Sequence, residues 1–307
     1  MGEMAKAVDG IMKKLFFVLA VLTCVASVKV EGRVTNPYPT AVLRQGDVYL
    51  LQGKDKWQRV TRWGDVQWLC WMSKDSLCFE RKRETGLKDS SDWRGFEVVR
   101  DLFIANPDGK ILGQFTADHF AEEPGAAAMP GRVLFAHRPE WITQDYEIWE
   151  TIRPNIRNRP LGIRGHMPDA SANQRWTAAA LNGEGPSGVG LYRYPKNESY
   201  RKIEGPHTRP RFSPNNAWFS FLSYPSDPDS CGIYAYEIPD GDVKFILRTP
   251  EGFTRICDFG WSRDGYAFIL VLEDAAGGRD AFFYDMELKS LQRLSETGDI
   301  KQASAWH

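Results

Sequence analysis

Two stretches decide how this chain is read: Phe212-Ser213-Pro214-Asn215-Asn216 and Trp261-Ser262-Arg263-Asp264-Gly265. Each begins with an aromatic that ends one apolar run, makes a Ser-x-(Asn/Asp)-(Asn/Gly) turn, and enters a second apolar run. After the first turn come residues 217–222 and then Ile233-Tyr234-Ala235-Tyr236-Glu237. After the second come residues 266–272 and then Ala281-Phe282-Phe283-Tyr284-Asp285. Each unit closes with one more strand-like run, residues 243–247 and 291–294. Four short strands in a period of roughly 45 residues are what one propeller blade needs.

Fainter copies of the same plan lie upstream. Trp71-Met72-Ser73-Lys74-Asp75 opens one that runs through Leu77-Cys78-Phe79 to residues 101–106. A second turns near Met129-Pro130-Gly131 into Val133-Leu134-Phe135 and reaches Tyr146-Glu147-Ile148-Trp149. A third turns at Ser171-Ala172-Asn173-Gln174 and reaches Gly190-Leu191-Tyr192-Arg193-Tyr194. The anchors fall near residues 71, 127, 170, 212, 261 and 306. The last of them, Gln302-Ala303-Ser304-Ala305-Trp306, reads as an inner strand with no blade after it. Conversely, Asp47-Val48-Tyr49-Leu50-Leu51 and Trp57-Gln58-Arg59-Val60-Thr61 read as outer strands with no inner one. Joining the two ends in one sheet removes two unpaired edges. The expected fold is therefore all-β, a six-bladed β-propeller closed by pairing the C-terminal strand with the N-terminal strands, one domain over residues 33–307.

Composition agrees. Of 307 residues, 42% are hydrophobic and 26% charged, which excludes a disordered chain and a polytopic membrane protein. Eleven Trp, 27 Gly and 18 Pro suit short strands, turns and aromatic packing. A net charge of −1 gives no basic field for nucleic acid. Lys13-Lys14, an apolar run from Leu15 to Cys24 and the small residues Ala26-Ser27 form a secretory signal peptide over residues 1–26. Val21-Leu22-Thr23-Cys24 approximates a bacterial lipobox, so the alternative is lipid attachment at Cys24. The expected location is periplasmic or secreted, with a membrane met only through such an N-terminal anchor. Of the remaining cysteines, Cys70 and Cys78 are spaced to face each other across a tight hairpin, and Cys231 and Cys257 lack the paired spacing of a zinc site.

The aromatic, Ser-x-(Asn/Asp)-(Asn/Gly) turn, apolar strand and Ile233-Tyr234 or Phe283-Tyr284 run resemble the WD40-like, PD40-type repeats of the TolB and dipeptidyl-peptidase propellers. Residues 207–296 match best, while residues 34–200 match by spacing more than by letter. The Gly-x-Ser-x-Gly motif of the peptidases is missing. Fold likeness alone does not supply a function. The leading expectation is an exported scaffold that binds a protein or an acidic saccharide at the mouth of its channel, without a cofactor.

Histidine is a common metal ligand and acid/base group, and there are only five. His166 and His207 stand four and five residues before anchors, where the chain should start an inner strand, and His119 stands eight before another. Asp65 and Asp258 take comparable positions. His166 and His207 are thus candidate ligand-binding residues, and His119, His166 and His207 candidate metal ligands. The run from 152 to 164 carries Arg153, Arg157, Arg159 and Arg164 without an acid, and guanidinium groups suit carboxylates. Arg159 and Arg164 are therefore added to the ligand-binding candidates. Gly183-Glu184-Gly185-Pro186-Ser187-Gly188 matches a dinucleotide pattern by letter, but a strand follows it, so it reads as a hairpin loop.

Finally, Phe135-Ala136-His137-Arg138-Pro139-Glu140-Trp141, followed by Tyr146-Glu147-Ile148-Trp149 and Arg164-Gly165-His166, resembles a segment of oligogalacturonate lyases. That resemblance, over residues 131–176, implies the alternative: a metal-assisted saccharide lyase or hydrolase. Its catalytic set would be His137, His166 and His207, with a divalent manganese, zinc or calcium ion. Arg138 departs from the family pattern, which has Glu there.

Overall fold

The turn that opened the sequence reading owes its shape to one side chain. Ser213 Oγ donates to Asn215 Oδ1 (2.7 Å) and accepts from the Trp218 N–H (2.9 Å). Ser262 does the same with Asp264 (2.7 Å) and the Ala267 N–H (2.9 Å), and Ser171 with Asn173 (2.8 Å) and the Trp176 N–H (3.0 Å). A serine hydroxyl that replaces a backbone partner in this way fixes a tight turn without a helix. Each such turn joins the first and second strands of a blade.

The structure, a computed structural model, describes residues 40–51, 56–84, 98–116, 127–129, 132–137, 146–152, 158–181 and 187–305. The strands run in chain order. β1 (Thr40–Arg44), β2 (Asp47–Leu51) and β3 (Trp57–Arg59) precede β4 (Val66–Ser73), β5 (Ser76–Glu84), β6 (Val98–Ala105) and β7 (Ile111–Gln114). β8 (Ala127–Met129), β9 (Arg132–His137), β10 (Glu147–Ile152) and β11 (Asn158–Arg164) follow. Next come β12 (His166–Ala170), β13 (Trp176–Leu181), β14 (Gly188–Arg193) and β15 (Glu198–Glu204). β16 (His207–Phe212), β17 (Trp218–Ser223), β18 (Gly232–Glu237) and β19 (Val243–Arg248) form the next set. The last are β20 (Phe253–Trp261), β21 (Ala267–Asp274), β22 (Arg279–Asp285), β23 (Ser290–Arg293) and β24 (Ile300–Ala305).

They form six four-stranded antiparallel sheets. Blade I has the order β24-β1-β2-β3, and blades II to VI take β4–β7, β8–β11, β12–β15, β16–β19 and β20–β23. The inner strands β24, β4, β8, β12, β16 and β20 each touch the next, and β20 touches β24, so they make a closed ring. The expected six-bladed propeller is therefore the fold observed, and five of the six expected anchors fall within or at the end of an inner strand. The sixth, Trp306, and the expected signal segment 1–26 lie outside the described residues. The seam differs in one detail from expectation. A strand before Asp47, β1, pairs with β24 from Thr40↔Ala305 to Leu43↔Gln302, so three strands come from one end of the chain and one from the other. Blade II adds stitches across the seam: the Leu69 N–H donates to Gln302 Oε1 (3.0 Å) and the Trp71 indole N–H to Ser304 O (3.1 Å).

Cores lie between blades, not within them. From Trp68 to Trp71 β4 alternates: Leu69 and Trp71 pack with Ala41, Leu43 and Val48 of blade I, while Trp68 and Cys70 pack with Val133 and Phe135 of blade III. Period-two alternation thus gives each blade two apolar faces. Similar clusters join III to IV, IV to V and V to VI. Cys70 and Cys78 are direct cross-strand partners on the face toward blade III, and both are free thiols. Burial, and then the facing Cys78, push the Cys70 thiol well up.

A second repeat, unread in the sequence, ties outer strands to the turns that follow. Asp280 on β22 accepts from Ser295 Oγ (2.8 Å) and the N–H groups of Thr297 (2.8 Å) and Gly298 (3.0 Å), and it pairs with Arg293 on β23. Asp47 on β2 repeats this with Thr61 Oγ1 (2.8 Å), the Trp63 and Gly64 N–H groups (2.7 and 3.3 Å) and Arg59. Burial raises the cost of both charges. These donors more than offset it and hold both carboxyls below their ordinary value.

Candidate binding site at the mouth of the ring

Inner strands β12, β16 and β20 start at the same end of the ring, and each carries a β-bulge there. The register slips between His166 and Asp169, between Thr208 and Arg211, and between Ile256 and Asp258. Two of the bulges hold a non-glycine residue in the left-handed region, Met167 (φ 48°) and Arg209 (φ 52°). Pro168 and Pro210 follow them. Proline cannot donate to the ladder, so a proline inside a strand is compatible with a bulge and not with regular pairing. A bulge leaves one residue unpaired and re-aims its side chain.

The re-aimed residues of all three strands meet. Met167, Arg209 and Cys257 line one cavity of about 290 Å³, together with Thr208, Tyr224, Arg255 and Arg279. Among the described residues, three arginines therefore line one space and no acid does. Two acids balance them. Fully buried Asp258 takes Arg209 (3.2 Å) and Arg211 (3.7 Å), and Glu273 takes Arg255 (3.0 Å) and Arg279 (2.6 Å). Hydrogen bonds from Arg255 and Arg279 pull the Glu273 carboxyl down to about 2. Burial pushes the Cys257 thiol up, against the pull of the two neighbouring arginines. Deeper on the ring wall, Asp169 accepts the Phe212 N–H (2.6 Å) from the next blade. Burial lifts Asp169 to about 6, although Arg211 and that N–H favour its charged form.

His166 and His207 both begin inner strands, as expected, but they do not share a register position. His166 pairs with Ala180, the fifth residue of β13, whereas His207 pairs with Ser223, the sixth of β17. Successive positions on a strand point to opposite faces, so equivalent placement of the two rings is lost. His207 packs on Phe221 with ring centres 4.7 Å apart, and its Nδ1 lies 3.0 Å from Ser223 Oγ. Gly205 gives it room: a Cβ there would stand 2.6 Å from His207 Nε2. Burial lowers the His207 pKa. His166 lies 6.5 Å from the Tyr146 ring, centre to centre. Neither histidine lines the arginine cavity; their chain neighbours Met167 and Thr208 do.

The other expected residues are scattered. His137 is buried on β9, with its ring 4.3 Å from that of Trp149. Trp149 is committed to Glu147 Oε2 through its indole N–H (3.1 Å). Arg159 pairs with buried Glu150 on the neighbouring strand, and Arg164 is exposed on the outermost strand, opposite Glu147. Asp65 holds Arg81 with two bonds of 2.9 and 2.6 Å, and Asp258 is held by arginines as described. His119, Arg153, Arg157 and Arg138 lie outside the described residues. Among the described residues no three His, Cys, Asp or Glu side chains converge as a metal-binding group, and no helix is long and apolar enough to cross a membrane.

A ring of six four-stranded blades, sealed by a strand from the far end of the chain, has the fold of the TolB-like six-bladed propellers. Solved structures carry that likeness. A TolB from Acinetobacter baumannii superposes with a TM-score of 0.65 at 12% identity, over 87% of this chain and 66% of that one. The chain thus spans about two thirds of that protein's length. A TolB structure from Agrobacterium tumefaciens gives 0.62 at 12% identity, over 88% of this chain and 97% of that one. A nidogen/laminin complex gives 0.61 at 8% identity, covering 88% and 98%. An oligogalacturonate lyase in complex with manganese shares the fold more loosely, at a TM-score of 0.52 and 12% identity, covering 81% and 70%. No family profile and no curated protein sequence matches the chain.

Proposed function

We propose that this chain is an exported propeller that acts as a binding scaffold in the cell envelope, with a protein partner docking over the mouth formed by blades IV to VI. The observation that supports this reading is the alignment of three bulges on three consecutive inner strands, which turns their side chains toward one opening. Bulges recur where a sheet must aim a side chain, and rigid inner strands hold such a surface at low entropic cost. The nidogen/laminin complex supplies a precedent of the same fold within a protein assembly. Export rests on the segment 1–26, with release after Ala26 or lipid attachment at Cys24 as its two outcomes.

The test is site-specific photocrosslinking in the producing cell. A photoreactive residue at Arg255, on the mouth, should capture one discrete partner. The same residue at Leu288, exposed on an outer turn of blade VI, should not. Equal capture from both positions, or none from 255, would refute docking at the mouth. Sequencing of the mature N-terminus decides export: a start at Ser27 or a lipidated Cys24 supports it, and an intact residue 1 overturns it.

A further inference from the structure

The geometry points to a small-molecule site in the arginine cavity of blades IV to VI, taking an organic carboxylate, distinct from any protein docked above it. Four observations carry it.

First, the lining is cationic on the side a ligand would meet. Arg209, Arg255 and Arg279 line the cavity, while Asp258 is fully buried and Glu273 is only 15% exposed. Second, the guanidinium groups keep donors in reserve. Each has five N–H groups. The protein carboxylates engage Arg209 through Nη1, Arg255 through Nη2 and Arg279 through Nε. Because Asp258 and Glu273 hold the arginines in place, little side-chain entropy remains to be lost when an anion arrives. Third, a planar guanidinium matches a carboxylate with two parallel bonds.

Fourth, the remaining wall is mostly apolar. Tyr224 spends its hydroxyl on Ile256 O, so its ring is what it offers, and Met167 and Cys257 adjoin it. A bare inorganic oxyanion would leave that wall against water, whereas a carboxylate with a short carbon body covers it. Thr208 supplies one hydroxyl, whose contact within the protein is a 3.4 Å approach to Met167 Sδ. At about 290 Å³ the cavity stands at the lower end of the range for small ligands, about 300–1,000 Å³. A ligand of a few carbons with one or two carboxylates fits that space.

Two measurements on the purified protein test this. Calorimetric titration at fixed ionic strength would use succinate, galacturonate and inorganic phosphate as probes. Saturable binding of at least one carboxylate, weakened about tenfold or more by Arg255→Gln, is expected. The second readout needs no variant and so survives any folding defect in Arg255→Gln. Alkylation of Cys257 by neutral iodoacetamide, followed by peptide mapping, should slow several-fold with the bound carboxylate, while Cys231 reacts at an unchanged rate. Equal protection by chloride would reduce the effect to ionic strength and overturn the site. Phosphate binding as tightly as the carboxylates would overturn the organic class. Binding without protection of Cys257 would put the ligand elsewhere and likewise overturn it. A docked partner plays no part in either measurement, so failure here leaves the scaffold reading untouched.

Discussion

Asp169 and His207 stand on adjacent blades, and burial shifts the two with opposite consequences for stability. Asp169 is lifted by burial from 3.8 to about 6. Between those two values the folded chain holds a proton that the unfolded chain has released, so this residue makes stability fall as pH rises from about 4 to 6. His207 is lowered by burial from 6.5, so its folded form resists the proton. Its contribution is complete above 6.5 and is lost as pH falls toward its depressed value. The two slopes have opposite signs. Asp169→Asn keeps an oxygen for the Phe212 N–H but removes the buried charge. It should raise stability more at pH 7 than at pH 4, as read by urea melts at both values. An equal effect at the two pH values would show that Asp169 does not ionise in this range.

The hairpin between the first and second strands is the unit that repeats, and its serine is the hinge of the repeat. Ser213 is 1% exposed and serves the Trp218 N–H, so removing its hydroxyl strands a partly buried donor. Ser213→Ala should cost about 1–2 kcal/mol, and Ser262→Ala a similar amount, measured as a shift of the denaturation midpoint at constant slope. That repeat was legible because the turn needs specific letters: Ser, then Asn or Asp two residues on. The seam is legible from strand-like runs at the two ends of the chain, though the runs at 47–51 and 57–61 leave out β1. The site was less so. Alternation predicts where a strand lies but not where it gains a residue, so the starts of β12 and β16 looked equivalent and His166 and His207 looked paired. Pro168 and Pro210 were the available signals for the bulges, and Arg209 follows from them. Arg255 and Arg279 meet within blade VI, both opposite Glu273 on β21, and only Met167 and Arg209 join them and Cys257 from inner strands of other blades, which no local pattern states. The aspartate repeat, Asp47 with Arg59 and Thr61 against Asp280 with Arg293 and Ser295, escaped notice because its partners are a dozen or more residues apart.

At the scale of the whole ring, one strand carries the closure. β24 pairs with β1 along its length and accepts two bonds from blade II, and Asp299 just before it takes Arg44 (2.7 Å) and Gln45 (2.6 Å). Deleting residues 300–307 should leave β1 with a bare inner edge and cost blade II its two bonds to β24. The expected outcome is loss of a single cooperative thermal transition and a shift to oligomers on size exclusion. A truncated chain that stays monomeric and melts as one unit would show that the blade stack holds without its seal.

The same seam sets an order in time. Thr40 finds its partner only at Ala305, so the earliest described strand of the chain waits through the making of every other blade before its sheet is complete. Contacts so far apart in sequence slow folding and leave an adhesive edge open meanwhile. A chain that crosses a membrane as an extended thread would keep that interval on the far side, after its last strand has emerged. An escort that shields β1 until then would act on the one stretch of backbone whose partner has yet to arrive.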